Sequence, residues 1–326
     1  MDIKHNANDI MLTSSEIAYL WAIYTLNSLA KYSFTYVIEK CKDDDIRSVF
    51  QFSLDLANTA LEGVKSIFNS VKMPIPHGFN EKDVNMQGDN LFSDVLMLNL
   101  LKTSTSSGRT NYGNALPMAA RLDVRQFITN CVTSTIELSN KIDEVELNKG
   151  IFVRTPYVQI PKSIGFAHDK SIFGSVIGHK RALNCMEIAH VFKISAISRV
   201  GEAHLAGISQ VIKNNRVKDY ITKGRKLLRK HAETLNIILD NEELTTPRTY
   251  ETEVLNATIS PLSDRVFLTW ASVLLINIIN DYEVGKINSM RKDIYLKFTQ
   301  LSTEVVLYLK EGTDIMIENG WFEEQP

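Results

Sequence analysis

Apolar residues recur along this chain at a helical period. From Ile17 onward, Leu20, Trp21, Tyr24, Leu26 and Leu29 follow steps that fit one face of a helix and do not alternate as in a strand. Thr13, with Glu16 three residues later, forms a capping box at the start of this helix, which is predicted to run to about Lys40. The turn from Cys41 to Ile46 leads into a second helix, from about Asp45 to Val71. Lys72 to Asn90 then holds two prolines, two glycines and no sustained apolar period, so it reads as a long connection. Ser93 caps a third helix, with Asp94 favourably placed at its positive end. The turn Arg121-Leu122-Asp123 opens a fourth helix, Asp123 and Gln126 forming a further capping box, and Gly150 is a natural stop.

The same series then repeats. Leu12, Glu16, Ile17 and Ala18 recur as Leu183, Glu187, Ile188 and Ala189, an offset of 171, and Asn184 with Glu187 renews the first capping box. A one-residue deletion shifts the register to 170. Ser93-Asp94 then falls on Ser263-Asp264, Arg121 and Asp123 on Arg291 and Asp293, and Gly150 and Phe152 on Gly320 and Phe322. Glu62 with Glu233, Ile67 with Ile238, Pro76 with Pro247 and Tyr112 with Tyr282 fill the interior. The chain therefore reads as two copies of one domain, residues 1–156 and 157–326, with 157–182 as a connecting segment. Phe152, Tyr157, Phe166 and Phe173 predict that the stretch joining the copies packs against the protein.

Loop lengths set the topology. Short turns make helices one and two, and three and four, antiparallel neighbours, whereas a link of about 20 residues lets two and three run parallel. Four helices of about 40 Å, at about 1.5 Å per residue, with one long crossover describe a ferritin-like bundle. The expected fold class is all-α, with two tandem ferritin-like four-helix bundles from an internal duplication.

Composition changes this picture little. Of 326 residues 44% are apolar and 23% charged, near the globular averages. The 36 Lys plus Arg against 38 Asp plus Glu give a net charge of −2, which disfavours a nucleic-acid partner. The most apolar stretch, Val266 to Ile279, is shorter than the ~20 residues of a membrane span and is interrupted by Thr269, Ser272 and Asn277. Cys41, Cys131 and Cys185 are odd in number and form no CxxC, which argues against a disulfide framework or a cysteine zinc site. The opening MDIKHNANDIMLTSSE has no apolar leader. A cytoplasmic, reducing compartment is expected.

The LTSSEIAYLW opening, MPIPHGF, the LFSD and RLDV turns and the GWFEEQP ending resemble an uncharacterised family of tandem ferritin-like proteins, found mainly in Bacillus and other spore-formers and classed as a domain of unknown function. The resemblance covers the chain from about Met11 to Pro326. It implies two ferritin-like bundles and, because the clan includes a spore coat protein, a possible setting in the spore. It brings no activity with it.

A di-iron site in such a bundle takes a Glu from each of two helices and a Glu-x-x-His from each of the other two, since positions i and i+3 share a face. Here that motif occurs once, as Glu187 and His190, with Tyr19 at the matching place in copy one. His231, with Glu233 two residues on, lies on the second helix of copy two, and Ala60 matches it. Proteins of the family it resembles often carry His there in both copies, so Ala60 is a departure. Glu187, His190, His231 and Glu233 are the candidate ligands for iron, manganese or zinc. Ordinary readings compete with each of them. Glu16 and Glu187 sit where capping glutamates belong, and Asp94, Asp123, Asp264 and Asp293 are helix-start residues. Arg121 and Arg291 suit the fastening of turns, and His190, His204 and His231 suit structural roles.

The strongest charge feature is the basic run Lys213, Arg216, Lys218, Lys223, Arg225, Lys226, Arg229 and Lys230, read either as a solvated helix face or as a patch for an acidic partner. No GxxxxGK[ST] or GxGxxG phosphate cradle is present, and no signature places a Ser-His-Asp or Cys-His set. An apolar ligand between helices has only Trp21, Phe192 and Trp270 to suggest it, and such residues usually build core. The expected function is a non-enzymatic helical binding or structural protein, connected with sporulation or stress. It has no predicted cofactor, and its partner is an unidentified protein or a second copy of itself. The alternative is a metal binder or metal-dependent oxidoreductase using copy two.

Overall fold

A computed structural model describes residues 10–167, 169–174 and 180–326. The leader reading of residues 1–9, and residues 168 and 175–179 of the connecting stretch, lie outside the described residues. The described residues form eight long helices with connections between them: α1 Ser14–Lys40, α2 Asp44–Ser70, α3 Asp94–Ala115, α4 Leu122–Asn148, α5 Cys185–Ser209, α6 Asn215–Asp240, α7 Asp264–Asn288 and α8 Lys292–Glu318. The described residues contain no β-strand.

Most helix ends follow the expected chemistry. The capping boxes of Thr13 with Glu16 and of Asn184 with Glu187 are both closed, and Ser93 accepts from the N–H of Leu96. Asp43 caps α2 by accepting from Asp45 and Ile46, which starts that helix one residue earlier than the pattern placed it. Gly150 and Gly320 take positive φ, +68° and +66°, where a left-handed residue lets the chain turn off a helix. The capping box expected from Asp123 and Gln126 does not form. Arg121 occupies the cap position without a side-chain cap, and the Asp123 carboxylate instead receives the Arg121 guanidinium, Nε to Oδ1 at 3.0 Å and Nη2 to Oδ2 at 2.6 Å.

Contacts at the ends fix the direction of each helix. The Glu16 carboxylate, at the start of α1, accepts from the N–H of Ala120 at 2.9 Å and of Arg121 at 2.8 Å, at the start of α4. Arg121, 1% exposed, also donates to Ser70 at the end of α2 and to the carbonyl of Ile10. At the other end, Asp94, which begins α3, accepts from the N–H of Lys42 and Asp43 between α1 and α2. Helices α2 and α3 therefore run in the same direction, and the link between them traverses the bundle. Copy two repeats the junction made by Glu16 and Arg121. Glu187 accepts from Met290 at 3.1 Å and Arg291 at 2.9 Å, and Arg291 donates to the carbonyl of Arg181 and pairs with Asp293 and Glu242.

Copy one packs two apolar clusters. Leu20, Ile23, Val64, Phe68, Val124 and Ile128 fill one, while Val37, Ile46, Phe50, Leu98, Leu138 and Ile142 fill the other. In copy two the rings of Tyr220 and Tyr308 stack at 4.2 Å and 6°, each over a glycine of the facing helix. A Cβ on Gly224 would lie 2.2 Å from the Tyr308 hydroxyl, and one on Gly312 would lie 2.4 Å from that of Tyr220. At the matching places copy one has Val49 and Leu138 against Ser53 and Ile142, which is smaller side chains facing larger ones.

The chain separates into two compact units, Met1–Phe152 with Ala257–Phe267 and Met316–Pro326, and Val153–Asn256 with Leu268–Ile315. Neither is contiguous, unlike the sequence domains 1–156 and 157–326. In the first unit, residues 257–267 lie along the α2–α3 link, which accounts for their place there. Asp89 accepts from the N–H of Thr258 at 2.7 Å and of Ile259 at 2.8 Å, Asn85 donates to the carbonyl of Pro261, and Asp83 accepts from the Ser263 hydroxyl at 2.7 Å. Gly88 is needed at this crossing, because a Cβ would lie 2.3 Å from Pro261 Cα.

The connecting stretch departs from expectation. Phe152 is packed, with the Lys102 ammonium 4.2 Å from its ring centroid, but Tyr157 is 86% and Phe166 90% exposed. Pro156, Pro161 and Gly165 hold this stretch outside regular structure, so its aromatic rings find no helix face to cover them. Limited chymotrypsin treatment is expected to cut first after Tyr157 or Phe166, read by mass spectrometry of the earliest fragments.

Burial alone would raise the carboxyls of Glu16 and Glu187. Hydrogen bonds from Thr13 and Arg121 to the first, and from Arg181 and Asn184 to the second, outweigh it and hold both below the usual range. A carboxyl lowered by folding stabilises above its ordinary pKa, about 4, and loses that contribution as the pH falls. The urea midpoint should therefore fall on acidification from about pH 6 to about pH 3, and fall less steeply in Glu187→Ala. At neutral pH Glu187→Ala should cost about 3–5 kcal/mol because it takes the acceptor from the amides of Asn184, Met290 and Arg291 and the ion-pair partner from Arg181, and Glu16→Ala about 2–3 kcal/mol.

Candidate functional site

The interior of copy two carries a polar chain that the sequence only half announces. His231, on the inner face of α6, is fully buried. Its Nδ1 faces the Tyr282 hydroxyl of α7 at 3.0 Å, and its Nε2 faces Oε2 of Glu304 on α8 at 3.1 Å. Tyr282 is fully buried, whereas the Glu304 side chain is 26% exposed and is also held by Lys230 at 2.8 Å. The partners assign the tautomer: Tyr282 donates to Nδ1, and Nε2–H donates to the carboxylate. Gly285 makes the packing possible. A Cβ there would lie 2.8 Å from the ring of Phe298, which closes on Tyr282 at 5.6 Å between centroids.

Electrostatics keep the chain in one protonation state. Burial pushes the His231 imidazole down, and the pull of Glu304 in the other direction does not overcome it. Burial pushes the Tyr282 phenol up. Burial would also raise Glu304, but Lys230 and His231 outweigh it, and its carboxyl stays low.

The four candidate metal ligands are not brought together. Glu187 has roughly four lone-pair sites, and five donors already converge on it: the N–H groups of Asn184, Met290 and Arg291 and both terminal nitrogens of Arg181. His231 spends both ring nitrogens within the chain. Glu233, two residues on, is exposed, because it lies about 200° around the helix. His190 is half-buried, and its imidazole is lowered by burial and by Lys193 against the opposing pull of Asp281. No group of three or more His, Cys, Asp or Glu among the described residues is placed to hold a metal ion. A di-metal centre of the ferritin-like kind does not fit these side chains.

Sequence reasoning missed Glu304. It falls between Leu301, Val305 and Tyr308, three buried positions of α8, and a carboxylate on that stripe marks an inward polar group. Tyr282 was visible only as the counterpart of Tyr112. In copy one the same chain is absent. Ala60 replaces His231, Ser134 replaces Glu304, and the Tyr112 hydroxyl accepts from Asn27 at 3.2 Å.

Three of the eight residues of the basic run are paired with acids. Lys223 pairs with Glu311, Arg229 with Glu202 and Glu251, and Lys230 with Glu304. Lys213, Arg216, Lys218 and Lys226 are exposed and Arg225 is half-buried. Elsewhere in copy two His204 is buried against Trp270, with ring centroids 5.3 Å apart.

The family described as "Protein of unknown function (DUF3231)" matches residues 2–164 and, a second time, residues 171–326. The chain belongs to this family. One DUF3231 match falls on each repeat, so the duplication read from the register is a tandem pair of helical domains. A crystal structure described as that of a candidate spore coat protein from Bacillus halodurans is similar at 14% identity, over 48% of this chain and 100% of that one, with a TM-score of 0.43. No curated protein matches the chain. No described helix is long and apolar enough to cross a membrane.

Burial pushes the imidazole of His204 down to about 3. A histidine lowered by folding costs stability once the unfolded chain takes up the proton, so stability present above about pH 6.5 is lost as the pH falls. His204→Ser, which installs the residue found 171 positions earlier (Ser33), should flatten the decline of the thermal midpoint between about pH 7 and about pH 5. An unchanged slope would show that other groups carry the acid sensitivity.

Proposed function

We propose that this DUF3231 chain is a non-enzymatic, two-bundle protein that works by binding or by building structure. Its setting in sporulation or stress is taken from its resemblance to proteins of spore-formers. One observation carries the reading: two of the four residues that would serve a metal in copy two, Glu187 and His231, are committed to holding helices together, and Glu233 points away from them. Glu187 ties the start of α5 to the turn before α8, and His231 bridges α6, α7 and α8. A carboxylate already accepting from five donors has little left for a cation. The surface proposed for an acidic partner narrows to Lys218, Arg225 and Lys226, to which no ion pair is formed among the described residues.

The competing reading is a metal-binding protein or oxidoreductase that uses iron, manganese or zinc through Glu187, His190, His231 and Glu233. Elemental analysis of protein purified without chelator separates the two. Metal should stay well below one equivalent per chain, should not rise on adding any of the three ions, and should be the same in His231→Ala. About one equivalent, lost in that variant, would overturn the proposal.

A further inference from the structure

We propose that Tyr282 is a redox-active tyrosine that gives up one electron to a radical oxidant while its phenolic proton crosses to His231. The inference does not depend on the binding reading above. It rests on the hydroxyl lying 3.0 Å from Nδ1 and on the opposite ring nitrogen lying 3.1 Å from the carboxylate of Glu304.

A phenol is a poor one-electron donor unless its proton has somewhere to go as the electron leaves. An imidazole in direct hydrogen-bond contact supplies that acceptor, and histidine is the side chain best matched to it at neutral pH. The starting protonation states suit the transfer, because burial keeps the phenol protonated and the imidazole neutral. The step balances as follows. The electron passes to an oxidant of the organic peroxyl class, which becomes a hydroperoxide by taking a proton from water and leaving hydroxide to the buffer. The O–H bond of Tyr282 breaks, and its proton forms an N–H bond at Nδ1. What remains is a neutral phenoxyl radical beside an imidazolium whose charge is balanced by Glu304. No route for a substrate to the ring is needed, since only an electron must leave it. The proton stays within the chain, so reduction of the radical can return it.

Copy one supplies an internal comparison. Tyr112 occupies the same place and is also buried enough for its phenol to be raised, yet Ala60 stands where the imidazole would be, and Asn27 meets the hydroxyl as a donor. The two tyrosines thus differ in the presence of a base, and Tyr282 is fully buried where Tyr112 is half-buried.

The test is flash oxidation of the full chain with a photogenerated ruthenium(III) polypyridyl complex, followed by electron paramagnetic resonance and phenoxyl absorption. Exposed tyrosines such as Tyr157, 86% exposed, give radicals that decay by encounter. Tyr282 should give a persistent one. Tyr282→Phe should abolish the persistent signal, and Tyr112→Phe should leave it intact. Glu304→Gln, at a partly exposed position, should slow its formation by about tenfold through loss of a charge-assisted hydrogen bond. In the wild type, with no variant that could misfold, formation should be slower in heavy water. A persistent radical that survives Tyr282→Phe, or a wild-type rate indifferent to heavy water, would overturn the assignment.

Discussion

At the start of the first helix of each copy, a glutamate closes its own capping box and, being buried, turns its second oxygen to the backbone amides that begin the fourth helix. The rest of the bundle depends on this double use of Glu16 and Glu187. Amides at a helix start have no partner within the helix, and at these positions burial removes water as an alternative. The carboxylate therefore fixes which two helices begin at the same end. Once first and fourth helices start together, second and third must run in the same direction, and only a link as long as the bundle can join them. Arg121 and Arg291 complete the junction by reaching the end of the second helix or the residues just beyond it.

Within that common frame the two copies have taken different interiors. At the level where copy two holds Tyr282, His231 and Glu304, copy one has Tyr112, Ala60 and Ser134, and Asn27 in place of an imidazole meets the phenol. A buried polar chain is tolerable only if each member is satisfied, because an orphaned group in a low-dielectric interior is costly. Each member here has its partner, and Glu304 reaches the boundary where Lys230 and solvent meet it. The duplication has preserved the scaffold in both halves and concentrated polar chemistry in one.

Much of this was legible in the sequence because it is local. Capping boxes, helix-stopping glycines and the loop too long for a hairpin each depend on a few neighbouring residues, and the repeat register confirmed them twice. What the sequence concealed is non-local. That Asp123 would turn to Arg121 depends on Glu16, more than a hundred residues away, taking the amides of that turn. The Tyr282–His231–Glu304 chain joins three helices, and only a carboxylate on the apolar stripe of α8 hinted at it. Tyr157 and Phe166 are exposed because Pro156, Pro161 and Gly165 leave their stretch without regular structure, and aromatic content alone does not specify a packing partner.

The stacked tyrosines of copy two carry a consequence for how this gene can change. Tyr220 requires a glycine at 312 and Tyr308 requires one at 224, so each side chain is legible only together with its facing partner. Copy one solved the same contact with Val49, Ser53, Leu138 and Ile142. An exchange of single helices between the halves would set tyrosine against isoleucine or leave valine over an empty glycine. The repeats have therefore lost interchangeability: unequal crossing-over or gene conversion that swaps less than a whole bundle yields a misfitting core, and each half must now evolve on its own.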